Sequence, residues 1–273
     1  MPPDPAEPVV AVLAEVWESV AAAGVDLDAE AWDRPTDCPG WSVRDQYSHL
    51  IGIERSLMGD AAPVLDGPVP GHVRNPFAEM NEAWVAERRG RPGPEVLAEF
   101  RAVTARRLEG LRAASTEDFD RVGWSPVGDV PYREFMAVRV FDSWIHEQDI
   151  RRALDRPGGR GGAGEALSLD RVTSFLGYAL GRKVAPPEGT TVLWVVRGPL
   201  PRTVGLEMRE GRARPLADPP GSPTLRLDLP AEAFWRLGCG RLAPAEAEAV
   251  GGVRVTGDAD LARRVLEAMN VMF

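Results

Sequence analysis

One helical turn separates Asp142 from His146 in "RVFDSWIHEQDIRRAL", which puts a carboxylate and an imidazole on one helix face. Residue types at that spacing can share a divalent metal, provided a third ligand arrives from another helix. The chain has three histidines in 273 residues, and the one available on a second helical stretch is His49, in "PTDCPGWSVRDQYSHLIGIE". Three protein ligands would leave coordination positions open for water or substrate, as a catalytic site requires. Two plainer readings of the same residues stay open. Asp142 and His146 could be a hydrogen-bonded pair on a polar face, and His49, beside Leu50, Ile53 and Leu57, could be a core histidine. Asp149, near the same face one turn on, could orient a ligand histidine or pair with Arg152. The third histidine, His72 in "GPVPGHVRNP", reads as a solvated loop residue.

The elements that must position these groups are legible from periodicity. Residues 6–24 repeat apolar positions at three and four and stop at a glycine, as a helix does. Ser42 followed by Asp45 resembles a capping box, with Trp41 placed to pack over the first turn, so a second helix is expected from Val43 to Gly59. "FAEMNEAWVAERRG" and "PEVLAEFRAVTARRLEGLRAA" give a third helical segment, interrupted near Gly90–Pro94, with Pro94 suited to a first turn. A fourth helix is expected from Pro131 to Leu154. Four amphipathic helices predict a bundle whose core can carry a site built from facing helices. "DRPGGRGGAG" then reads as a flexible break, and the pattern beyond it changes period. A helix at 168–183 precedes three expected strands, "TTVLWVVR", "RTVGLEM" and "TLRLDL", and two further helices in "PAEAFWRLGCG" and "GDADLARRVLEAMN". The expected architecture is an all-α four-helix bundle over residues 1–156, followed by a small α+β domain over 165–273.

Composition narrows the function classes. A net charge of −9 and a pI near 5.0 give no global basic footprint for nucleic acid or an anionic membrane. No run approaches the ~18 apolar residues of a membrane span. The opening "MPPDPAEPVV" is acidic where a signal peptide would be positive, and the expected setting is cytoplasmic. Cys38 and Cys239 are too sparse for a secreted disulfide framework, and no CxxC motif is present. Lys183 is the only lysine, so the abundance of arginine marks genome composition rather than chemistry.

"PTDCPGWSVRDQYSHLIGIE" together with "RVFDSWIHEQDIRRAL" resembles the mycothiol-dependent maleylpyruvate isomerase family, which has a DinB-like four-helix bundle. The later segments "FWRLGCGRL" and "VRVTGDADLARRVLEAM" resemble the sterol-carrier-like α+β domain that follows the bundle in that family. The resemblance implies a divalent metal, usually zinc, held here by His49, Asp142 and His146. It also implies mycothiol as thiol cosubstrate and a small electrophile as its target, with either cis-trans isomerisation or S-transfer as the outcome. The isomerase has glutamate where this chain has Asp142, one methylene shorter, so the resemblance carries the site further than it carries the particular reaction. Arginines would be needed to stabilise developing negative charge, and the candidates are Arg241, in "GCGRL", and the pair Arg88 and Arg89, in "VAERRGRPG". A non-catalytic protein holding an apolar small molecule or lipid in its C-terminal domain is the alternative, with Phe175, Tyr178, Trp194, Phe234 and Trp235 as its aromatic lining.

Overall fold

The computed structural model describes residues 7–218 and 220–270. The chain divides into two compact units, Met1–Gly159 and Arg160–Phe273.

The first unit is helical: α1 (Pro8–Ala23), α2 (Ala29–Asp33), α3 (Val43–Leu57), α4 (Pro76–Ala86), α5 (Gly93–Ala113), α6 (Thr116–Asp120) and α7 (Tyr132–Ala153). A two-residue ladder pairs β1 (Val122–Gly123) with β2 (Val130–Pro131) just before α7. The four long helices pack on one another, α1 against α5 and α7, and α3 against the same two. Leu13, Val20, Leu50, Phe100, Met136 and Val140 are buried between them. Polar bonds cross this core as well: Trp17 Nε1 donates to Ser143 Oγ (3.0 Å) and Tyr47 Oη to the Val20 carbonyl (2.7 Å), fixing α1 against α7 and α3.

Beside these four long helices the unit carries three shorter ones, α2, α4 and α6. The expected third segment is two elements, because Pro92 to Pro94 interrupts it; Pro94 stands in the first turn of α5. The short α2 and α6 fill the connections, each capped by an aspartate or serine side chain, Asp28 and Ser115.

The second unit follows as α8 (Ala163–Tyr178), a single π turn over Ala179–Val184, then β3 (Thr191–Arg197), β4 (Arg202–Arg209), β5 (Arg212–Pro215), β6 (Leu225–Pro230), α9 (Ala231–Gly238), β7 (Arg254–Gly257) and α10 (Ala259–Ala268). The sheet order is β5-β4-β3-β6-β7, with β3 and β6 parallel and the other pairs antiparallel. Along β6, Leu225, Leu227 and Leu229 alternate inward, and α9 and α10 pack on this strand. Trp194, Phe234 and Trp235 are core side chains, each fully buried.

The break at 155–164 is less loose than expected. The Gly159 carbonyl accepts from Trp144 Nε1 at 2.7 Å, and α8 begins at Ala163, five residues earlier than the periodicity suggested. Edge strands β5 and β7 escaped prediction because each is four residues long and mostly exposed, with no apolar alternation to read. Among the described residues, no helix is long and apolar enough to cross a membrane.

Candidate metal centre

A tight loop leads into α3 and fixes where its side chains point. Pro35 bridges to Ser42, while the Thr36 amide donates to the Trp41 carbonyl (3.0 Å) and the Trp41 amide to that of Cys38 (3.1 Å). Gly40, at φ +80°, makes the reversal that an L side chain would resist. Ser42 then caps α3 reciprocally with Asp45, each side chain accepting from the other's backbone N–H. Two turns on, His49 faces α7.

There it meets the two residues spaced one turn apart. His49 Nε2 lies 3.3 Å from Asp142 Oδ2, and His146 Nε2 lies 3.6 Å from Asp142 Oδ1. One ligand atom from each of His49, Asp142 and His146 falls within 4.8 Å of the others. The two imidazoles stand edge to face, 4.5 Å between centroids. Both histidines are 4% exposed, so water has little access to the rings.

The supporting groups set protonation and direction. His146 Nδ1 is 2.5 Å from Gln46 Oε1 and 3.5 Å from the buried Asp149 Oδ2. An acceptor pair on that side favours a proton on Nδ1, which leaves the Nε2 lone pair facing Asp142 and His49. Burial pushes the His146 imidazole down, but the carboxylates of Asp142 and Asp149 outweigh it, and its pKa stands above the ordinary histidine value. For His49 burial prevails over the Asp142 charge and lowers the pKa to about 4, so this ring is neutral at physiological pH, as a metal ligand must be.

Asp142 is governed by a buried ion chain. Burial raises its pKa, yet the Arg139 guanidinium and the two imidazoles hold it well below the usual carboxylate range. Arg139 Nη1 donates to Asp142 Oδ2 at 2.7 Å and its Nε donates to Glu54 Oε1 at 2.7 Å. Glu54, wholly buried, also accepts from Arg107 Nε at 3.0 Å, and Arg107 in turn donates to Tyr132 Oη. Cations and carboxylates thus alternate along Arg107–Glu54–Arg139–Asp142.

The residues present fit a divalent cation. Two imidazoles and one carboxylate form a donor set suited to zinc. The buried Nδ1 of His49 has no hydrogen-bond partner, so hydrogen bonding engages that ring only through the Nε2 that faces Asp142.

Other expected residues fall elsewhere. Arg88 is 1% exposed, and its guanidinium is spent on Glu99 (3.1 and 2.6 Å), Glu87 (2.7 Å) and the Trp84 carbonyl (2.9 Å). Arg89 pairs with Glu82 at 2.7 Å and Asp45 at 3.4 Å. Arg241, just past α9 in the second unit, donates to the Cys239 carbonyl at 3.1 Å. His72 corrects the expectation of a solvated loop side chain: its Nε2 lies 3.0 Å from the wholly buried Glu82. Cys38 and Cys239 are not joined by a disulfide.

Gln46, Glu54 and Glu82 are the neighbours of the candidate site that sequence reasoning missed. Gln46 had one available signal, its position one turn before His49 on the same face.

Comparison with known proteins gives a consistent picture. The family model described as "Mycothiol maleylpyruvate isomerase N-terminal domain" matches residues 13–151, just over half of the chain and including all three candidate ligands. An uncharacterized protein of Mycobacterium tuberculosis, found in two strains, is 27% identical over 151 residues. That match spans 54% of this chain and 56% of the relative, so the chain covers little more than half of that protein's length. The crystal structure of a mycothiol-dependent maleylpyruvate isomerase superposes with a TM-score of 0.56 at 14% identity, covering 94% of this chain and 95% of the other. A histidine-to-alanine mutant of the isomerase gives 0.57 at 16%, with the same coverage. At these identities the likeness is one of fold.

Proposed function

The chain belongs to the mycothiol maleylpyruvate isomerase N-terminal domain family, and on that footing we propose that it is a thiol-dependent metalloenzyme. Its first unit is a DinB-like bundle in which His49, Asp142 and His146 hold a divalent ion, zinc by preference for two imidazoles and a carboxylate. The second unit is the sterol-carrier-like companion domain. Mycothiol is the cosubstrate and a small electrophile the partner, with isomerisation of the maleylpyruvate type or S-transfer as the outcome. A cytoplasmic setting, where thiols stay reduced, suits this chemistry.

The observation that carries the reading is the convergence of three ligand-type side chains from α3 and α7 within 4.8 Å, in a member of this family. A divalent ion bound there would lower the pKa of a coordinated thiol, so that the nucleophilic thiolate is available at neutral pH. The chain's own residues prepare for it. Gln46 and Asp149 hold the His146 proton on Nδ1 and keep Nε2 directed inward. Arg139 keeps Asp142 ionised, and Glu54 keeps Arg139 in place. Trp41, packed on both imidazoles, excludes water from that side.

For charge developing on the electrophile, Arg241 is the proposed donor. Arg88 and Arg89 are left out because their guanidiniums are already engaged, Arg88 by Glu99 and Glu87 and Arg89 by Glu82 and Asp45. The test is turnover by zinc-loaded protein with a panel of small electrophiles, mycothiol against glutathione, read as thiol consumption for S-transfer and as isomer conversion at constant thiol for isomerisation. Turnover with mycothiol that Arg241→Ala weakens is the expected result. Turnover with glutathione and none with mycothiol would overturn the cosubstrate assignment.

A further inference from the structure

Glu82, on α4, has no hydrogen bond to His49 or His146 and yet is wholly buried. Burying a carboxylate is costly unless its oxygens are paired, and here one takes hydrogen bonds and the other stands in an ion pair. Oε2 accepts from Trp41 Nε1 at 2.9 Å and lies 3.0 Å from His72 Nε2. Oε1 is 2.7 Å from Arg89 Nη1, whose Nε reaches Asp45, the residue that caps α3. His72 is seated against Gly40, where a Cβ would run into its ring. Three separate segments thus close on one side chain, and the group they hold is the Trp41 indole.

That indole lies 5.0 Å from the His49 ring and 5.9 Å from the His146 ring, centroid to centroid, tilted by 39° and 37°. His146 has Gln46 to set its plane. His49 has only Asp142 at 3.3 Å, with its Nδ1 unbonded, so packing must do what hydrogen bonds do for its neighbour. An indole has a single N–H, and tethering it fixes the ring plane.

We infer that Trp41 is a positioning residue for the two imidazoles, His49 above all, and that Glu82, with Arg89 and His72, is the brace that holds its indole in place. Burial raises the Glu82 pKa, but the bonds from Trp41, His72 and Arg89 outweigh it, which keeps the brace anionic at neutral pH. The consequence for metal affinity rests on the metal-centre reading above; the orientation of the rings does not.

With three histidines in the chain, each carrying a Cδ2–H and a Cε1–H, the imidazole carbon–proton correlation spectrum of the metal-free protein holds three pairs of signals. Glu82→Gln is expected to shift or broaden the His49 signals, and the His146 signals less, because the ring current of Trp41 moves. Trp41→Phe, which leaves the Glu82–Arg89 pair intact, is expected to do the same and guards against a Glu82 variant that fails to fold. Cobalt(II) affinity, read by chelator competition, should fall about tenfold in both variants, the scale seen when a ligand's supporting group is lost. Unmoved His49 and His146 signals in a folded variant would overturn the brace. Wild-type protein that binds no cobalt would overturn the metal reading alone, because the spectrum still decides the brace.

Discussion

The middle of the helical unit holds Glu54, Arg107 and Arg139 in a buried ion chain, with His49 and His146 beside it. The sheet unit is closed instead by Trp194, Leu227, Phe234 and Trp235, and Glu165 and Arg236 are the only charged side chains buried there among the described residues. Apolar packing is the cheaper way to fill a core, since a buried ion pair repays its desolvation only with near-ideal geometry. The first unit therefore carries a polar interior that stability alone does not call for. What that interior does is hold Asp142 ionised and His49 neutral within 3.3 Å of each other.

Substitutions can break or sharpen this contrast. Glu54→Ala strands two buried guanidiniums and should cost about 3–5 kcal/mol in denaturant unfolding, with metal affinity falling as well. Phe234→Ala in the sheet unit should cost a similar ~3–5 kcal/mol through its cavity, and leave metal affinity unchanged. If both variants lose metal equally, the division of labour between the units is wrong. Gln46→Ala removes the partner of His146 Nδ1 and should weaken metal binding ten- to a hundredfold, about 1.4–2.7 kcal/mol, measured by chelator competition.

The smallest expected effect is a pH dependence. Burial raises the Glu99 carboxyl, but the bonds and charges of Arg88 and Arg91 outweigh it and hold its folded-state pKa below the ordinary value. Stability from this pair is therefore present above the unfolded glutamate value of about 4.3 and is lost as pH falls through the folded value. Wild type and Glu99→Gln should differ in melting temperature at pH 7 and converge in acid. A constant difference would remove Arg88 from the structural role assigned to it.

The sequence made the candidate ligand set legible because helical spacing is a local property. Asp142 and His146 share a face wherever α7 forms, and the Ser42–Asp45 cap announced α3 and so the direction of His49. The brace was illegible for the opposite reason. Glu82 and Trp41 are 41 positions apart, and nothing local separates a carboxylate that accepts from a buried indole from one that faces water. His72 looked solvated because turn residues surround it, and only the fold brings it to Glu82. Strands β3, β4 and β6 were readable from their apolar runs, whereas β5, "RARP", and β7, "RVTG", become strands through backbone pairing with neighbours already in place.

Metal content of the purified full-length protein, measured beside that of His146→Ala, tests the central claim most directly. The account predicts a stoichiometric divalent metal in the wild type, zinc foremost, and its loss from the variant with the fold retained. Wild-type protein that takes up no stoichiometric metal, or a variant that holds it equally well, would contradict it.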